Sequence, residues 1–255
     1  MPEILYFFLG AVGVGFISGL LGLGGGVILT PGLTLFAGLS IQQAVGISLI
    51  SVISTSMSAS TVYLRKGLVD IEFAISLALS ASAGSVTGGL LSEYIPGAYL
   101  AFLFSGILLY SSISILSKSN SEEVHRSQVS TSKTIFFIAL AFFAGTLTGL
   151  LGLGGGIIYV PLLFIGLGFP MPRAVGTSAF TVGLTATAAA VVYYAQGALD
   201  ETFDIIPAVV LGIITGAKLG GLIGARSKSI YSRLLFAALL IYFCYRMIRQ
   251  GIAQL

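Results

Sequence analysis

Two identical stretches of backbone chemistry dominate the sequence. Gly19-Leu20-Leu21-Gly22-Leu23-Gly24-Gly25-Gly26 returns unchanged, 130 positions later, as Gly149-Leu150-Leu151-Gly152-Leu153-Gly154-Gly155-Gly156. Pro31 and Pro161 stand five residues after each triplet. Each glycine costs a helix about 1 kcal/mol relative to alanine, so the spacing predicts two broken helices. A helix that restarts at such a break presents N–H groups without partners and about half a positive charge, and with no side chain in the way an anion reaches those amides. Gly24, Gly25, Gly26, Gly154, Gly155 and Gly156 are therefore candidate substrate-binding residues. The structural alternative is close helix packing, which the spacings Gly15/Gly19 and Gly145/Gly149 would also serve.

Hydroxyls follow each break. Ser48, Ser51, Thr55 and Ser58 step by three, four and three, which places them on one helical face, and the matching positions are Ser178, Thr181, Thr185 and Ala188. Such a stripe would line an oxyanion's path or would bond neighbouring helices. Ser54, Ser56, Ser60, Thr177 and Thr187 lie off it and are read as packing. Lys218 lies inside an apolar span and is a candidate counter-charge; with Arg226 eight residues on, snorkelling to the surface competes with that role. No lysine with Ser or Thr follows the glycines, and Val27 takes the sixth place of a dinucleotide fingerprint, so nucleotide loops are rejected.

The remaining residues suggest no catalysis. All nine carboxylates sit in or beside loops, the only histidine, His125, lies in a polar segment, and no Cys/His cluster is present. No catalytic residue, metal site or cofactor is expected. Cys244 is the only cysteine, so no intramolecular disulfide forms.

These groups need a membrane scaffold. The chain is 56% hydrophobic and 8% charged, against about a quarter charged in soluble domains, with a mean hydropathy of +1.04. It reads as an all-α polytopic membrane protein with the lipid bilayer as its partner. Ile4 to about Leu39 is too long for one crossing and splits at the glycines into Ile4 to Leu21 and Val27 to about Ala37, with Pro31 in a harmless first turn. Spans follow from Ala44 to Tyr63, Ile71 to Leu91 and Ala98 to Leu116. Residues 118–133 form a polar linker, and the second half replays the first: Ile135 to Leu150, Ile157 to Leu167, Ala174 to Tyr194, Phe203 to Leu222 and Tyr231 to Ile248. Residues 1–117 and 134–255 are thus two repeats. Tyr63/Tyr193, Gly67/Gly197 and Asp70/Asp200 keep the offset of 130, while Gly84 and Gly88 match Gly216 and Gly220 at 132. Gly212, Gly216, Gly220 and Gly224 form a packing seam without chemistry. Glu3, with no basic residue ahead of the first apolar run, argues against a cleaved signal peptide. The net charge of +3 sits mostly in loops and implies no nucleic acid.

Loop charges set the orientation, because lysine and arginine collect on the cytoplasmic side. Treating each broken segment as one crossing divides them seven against four. If each segment instead enters and leaves on one face, or crosses twice, nine basic residues share a face and only Arg246 and Arg249 lie opposite. The expected architecture is two inverted repeats, each a broken, re-entrant or hairpin, Gly-rich helix pair plus three transmembrane helices. The linker is then cytoplasmic and both termini lie outside.

The doubled Gly-Leu-Leu-Gly-Leu-Gly-Gly-Gly with its following proline, in a chain of this length with a polar middle, resembles the TauE/SafE family of sulfite exporters and sulfonate permeases over essentially the full length. The resemblance places the family signature on Gly22 to Gly26 and Gly152 to Gly156. It implies a multi-pass carrier in the inner membrane of a bacterium or archaeon that moves sulfite, sulfonates, sulfoacetate or related small anions. A related thiosulfate carrier works through membrane cysteines, and a lone Cys244 speaks against that chemistry here. The expected function is a secondary transporter or facilitator rather than an enzyme, with a small anionic substrate as partner and a homodimer compatible with the sequence. The alternative is a membrane-embedded enzyme or interaction subunit without flux.

Overall fold

A computed structural model describes residues 2–21, 25–117, 131–224 and 230–253, among which every regular element is helical. The first half contains α1 (Pro2–Leu21), α2 (Gly26–Phe36), α3 (Ile41–Arg65), α4 (Ile71–Ser92) and α5 (Gly97–Ser117). The second contains α6 (Thr131–Leu151), α7 (Gly156–Pro161) with a π turn Leu162–Gly166, α8 (Met171–Ala195), α9 (Ile206–Gly224) and α10 (Ile230–Ala253). His125 and the polar residues 118–130 lie outside the described residues, as do Gly22, Leu23 and Gly24.

Local chemistry explains where the helices start. Ser40 opens α3 with a capping box: its hydroxyl accepts the Gln43 N–H, and Gln43 Oε1 accepts the Ser40 N–H. Asp70 opens α4 by accepting the Phe73 N–H, and Pro172 stands in the first turn of α8. Among the described residues, three helical segments are long and apolar enough to cross a bilayer: Ile41–Arg65, Ile71–Ser92 and Pro172–Ala195. Large side chains such as Leu79, Phe143, Leu211 and Ile252 face outward, where hydrocarbon is the fitting solvent. Asp200–Thr202 forms a 3-10 turn, so α9 starts at Ile206 and not at Phe203. Pro31 is likewise not in a first turn: α2 begins at Gly26, and the proline is its sixth residue.

Glycine seams join the halves. A Cβ on Gly84 or Gly88 would collide with the Phe142 or Thr146 carbonyl of α6, and one on Gly212 or Gly216 with the Phe8 or Val12 carbonyl of α1. Register along both seams rises together, so α4 runs parallel to α6 and α1 parallel to α9. Exchanging the halves therefore turns one seam into the other. The counterparts α3 and α8 pack on each other antiparallel: Gly46 meets Tyr193 and Leu199, Gly183 meets Ser56, and Gly176 meets Tyr63. Helices α5 and α10 do the same, with Ser112 donating to the Ala237 carbonyl and Gly251 against Ala98.

These directions give the bundle two unlike ends. One gathers Arg65, Lys66, Asp70, Glu72 and Arg173; the other gathers Glu93, Asp200, Glu201 and Asp204, with Arg246 and Arg249 near the end of α10. Ile213 of α9 lies against Gly15 through its backbone and Gly25 through its side chain, so α1 and α2 pass the same level of the bundle. Since α2 then leads back to the start of α3, α1 and α2 form a hairpin.

Candidate functional site

The two breaks meet beside the antiparallel α3 and α8. Gly26 is buried so closely against the second break that a Cβ there would strike the Gly152 carbonyl. Gly152 in turn lies against the Val45 backbone, and Gly154 fits between the methyls of Val52. The contact is tied by Ser48, which is fully buried and donates to the carbonyls of Gly26 at 3.3 Å and Gly152 at 3.2 Å. One hydroxyl thus joins both interrupted segments.

Identical sequence gives different backbone at the two breaks. Gly25, the N-cap of α2, is right-handed with φ −67°, whereas its counterpart Gly155 is left-handed with φ +61°. Gly152 and Gly154 are also left-handed, at φ +65° and +69°, a conformation that costs other residues roughly 1–2 kcal/mol. Helix α2 continues for eleven residues, but α7 lasts six and gives way to the π turn just after Pro161. The expected single helix from Ile157 to Leu167 is therefore divided at Pro161, although Pro31, which equally lacks an N–H, leaves α2 continuous.

The donors at each break follow from this. Among the described residues the first bond of α2 is from the Leu29 N–H to the Gly25 carbonyl at 3.0 Å, and Gly26, Val27 and Ile28 make up its first turn. In the second break the Gly156 N–H bonds Gly154, and those of Ile158 and Tyr159 bond Gly155, so these three close their own turns. The carbonyls ending α6 are met by Tyr193, whose hydroxyl lies 2.9 Å from Gly149 O and 3.4 Å from Leu150 O. Gly24 lies outside the described residues.

Five of the six candidate hydroxyls have committed protons. Besides Ser48, Ser51 donates to Ile47, Thr55 to Ser51 and Val52, Thr181 to Thr177 and Thr185 to Thr181, all carbonyls of their own helices. Ser178, the counterpart of Ser48, is 1% exposed and its hydroxyl has no hydrogen-bond partner. A buried unpaired hydroxyl costs about 1–3 kcal/mol, so Ser178 is the ready donor of the set. Ser58 is exposed and outside the buried part of the stripe, and Lys218 is exposed on α9. Interior polarity otherwise comes from small hydroxyls: the buried polar side chains among the described residues are Ser and Thr, beside the buried Tyr159 and Tyr193.

Sequence reasoning missed several neighbours. Tyr159 is fully buried against Gly155, and the Thr148 hydroxyl also lies close to that glycine. No sequence signal marks Tyr159, since Leu29 is its counterpart. At the ends of the α3–α8 pair, Asp70 binds Arg173 and Glu201 binds Gln43; the signal available was that Gln43 and Arg173 are themselves 130 apart. The open groove of about 300 Å³ lined by Ile50, Ile53, Tyr194, Phe203 and Pro207 is apolar and separate from the glycines.

Comparison with known proteins points the same way. Residues 7–247 match the family model described as "Sulfite exporter TauE/SafE". The "Probable membrane transporter protein YunE" of Bacillus subtilis is 26% identical, with 99% of each chain covered. A "Probable membrane transporter protein" of Xylella fastidiosa is 30% identical over 91% of this chain and 92% of its own. The Arabidopsis thaliana "Sulfite exporter TauE/SafE family protein 5" is 30% identical over 56% of this chain and 33% of its own. No solved structure gives a significant match.

Proposed function

Because the chain belongs to the sulfite exporter TauE/SafE family, we propose that it is a secondary carrier or facilitator that moves a small sulfur-containing anion, such as sulfite, a sulfonate or sulfoacetate, across the inner membrane of a bacterium or archaeon. The observation that carries this reading is the Ser48 hydroxyl shared by Gly26 and Gly152, because it sets both broken segments at one buried point between the halves. The start of α2 supplies partial positive charge without a formal cation, and Ser178, near the level where Gly176 meets Tyr63, would supply a hydroxyl proton farther along the path. Such donors suit an oxyanion that must bind and then leave.

The halves are inverted across the bilayer in this reading. Antiparallel packing of α3 on α8 and of α5 on α10 supports it, as does the clustering of Arg65, Lys66 and Arg173 at one end, taken as cytoplasmic. Transport then proceeds by rocking of one half against the other around the paired breaks.

Uptake of labelled sulfite and sulfoacetate into proteoliposomes tests the proposal. Flux should be present in the native protein and lost with Gly25→Val plus Gly155→Val. Anions at a hundred times their dissociation constant should also stabilise the protein by about 2.7 kcal/mol in thermal unfolding. Absence of flux for every small anion, with no thermal shift, would favour an interaction subunit or membrane-embedded enzyme on the same scaffold.

A further inference from the structure

We infer that two chemically unlike latches between the halves hold the opposite ends of the α3–α8 pair, and that only one of them is ionic; the inference rests on the carrier reading above. At one end the Arg173 guanidinium in the first turn of α8 lies 2.8 Å from Asp70 Oδ2 at the start of α4. The ion pair is braced: the Asp70 N–H donates to Thr177 at 3.1 Å, Asp70 Oδ1 accepts the Phe73 N–H at 3.3 Å, and Arg173 lies over the Phe169 ring at 5.4 Å. Phe169 in turn packs on Phe73, with ring centres 5.6 Å apart. The ion pair, the Asp70–Thr177 bond and the Phe73–Phe169 contact cross between the halves, while the Phe73 cap and the Arg173–Phe169 contact brace each side from within.

At the other end the counterpart of Arg173 is Gln43, in the first turn of α3. Its amide donates to Glu201 at 3.0 Å, and Gln196 donates to Glu93 at 3.4 Å and to the Gly89 carbonyl at 3.1 Å. These links also cross between the halves, but their donors are neutral. The same helical position thus carries a cation at one end and an amide at the other, each facing an acid from the opposite repeat.

Both latches are made at once, so both ends are held. Rocking that opens an end separates α3 from α8 there and must break that end's latch. With Arg173 and Asp70 only partly buried, at 36% and 27% exposed, salt reaches the ionic latch, while the amide latch has little charge attraction to screen. Ionic strength therefore acts on one mouth of the carrier and not on the other.

Ala174 and Ala44 are fully buried, adjacent to Arg173 and Gln43, and counterparts of one another, which makes them matched reporters. In Cys244→Ser protein reconstituted in lipid nanodiscs, Ala174→Cys and Ala44→Cys are labelled with a charged maleimide. Raising KCl to about 1 M, where the screening length is about 3 Å, should increase labelling roughly twofold to fivefold at Ala174→Cys alone. Arg173→Gln should produce that increase at low salt, and Asp70→Arg with Arg173→Asp should reverse it. Gln43→Arg combined with Arg173→Gln should transfer the salt response to Ala44→Cys. Hydrogen exchange in the first two turns of α3 and α8, without reporter cysteines, gives the same comparison if a reporter disturbs folding. Equal changes at both ends, or none, would overturn the latches. A selective response without anion flux would remove the transport reading and leave the latches standing.

Discussion

The first and second breaks share eight identical residues, yet the described part of the first, from Gly25 onward, departs from its counterpart at Gly155. Gly25 is right-handed, and α2 runs on through Pro31; Gly155 is left-handed, and α7 ends at Pro161 in a π turn. The difference tracks the neighbours. At the first break Ile213 presses on Gly25 and Leu29 fills the next turn, whereas at the second the positions equivalent to Ile213 and Leu29 are Ala81 and Tyr159, whose ring presses on Gly155. Two medium side chains on one side become a small and a large one on the other. Ser48 bridges the breaks while Ser178 is left unpaired, so a duplicated sequence has become a conformationally unequal pair.

Substitutions at matched glycines should break the comparison most severely. Gly26→Val places atoms into the Gly152 carbonyl, against backbone that cannot yield, and should abolish both flux and ordered folding by size-exclusion chromatography. Gly155→Ala combines a left-handed residue, costing roughly 1–2 kcal/mol, with a collision against Tyr159, and should lower the midpoint of thermal unfolding clearly. Gly25→Ala meets only the end of the Ile213 side chain and should be rescued by Ile213→Ala. Equal losses at Gly25 and Gly155, with no rescue, would show the two breaks to be equivalent after all.

The serine pair sharpens the contrast at a smaller scale. Ser48→Ala leaves two buried carbonyls without their shared donor and should cost about 1–3 kcal/mol of stability. Ser178→Ala removes an unpaired group, so stability should hold or rise, while sulfite-dependent thermal stabilisation weakens by about tenfold in apparent affinity, the scale of one hydrogen bond to a charged ligand. Equal loss of stability in both variants would contradict this division of roles.

The remaining test concerns the side chains that distinguish the breaks. Tyr159→Leu alone should leave a void beside Gly155 and lower stability by about 2 kcal/mol, and Ala81→Ile should recover part of that loss by restoring the pairing of the first break. Thermal unfolding of the single and double variants measures the recovery. No recovery would mean that packing volume does not set the difference.

Much of this organisation was legible in order along the chain. The repeat, the breaks and the glycine seam are local patterns; the starts at Ser40 and Pro172 were missed by the spans begun at Ala44 and Ala174, although their capping chemistry was there to read. Division of the second broken helix at Pro161 was not legible, because Pro31 in the same context leaves α2 intact. Nor did spacing separate Ser178 from Ser48. Both lie on the same face of equivalent helices, and only the carbonyls brought opposite Ser48 distinguish them.

The sequence by itself determined a duplicated, apolar, helical chain with two weak points, since glycine's helix cost and the hydrophobic period act over neighbouring residues. Tertiary structure alone decided which glycines turn left-handed, which serine is satisfied and which acid meets Arg173 or Gln43. The serine and the acids depend on atoms contributed by the opposite repeat, more than a hundred residues away in the chain, and Gly155 on how the Tyr159 ring is packed against it.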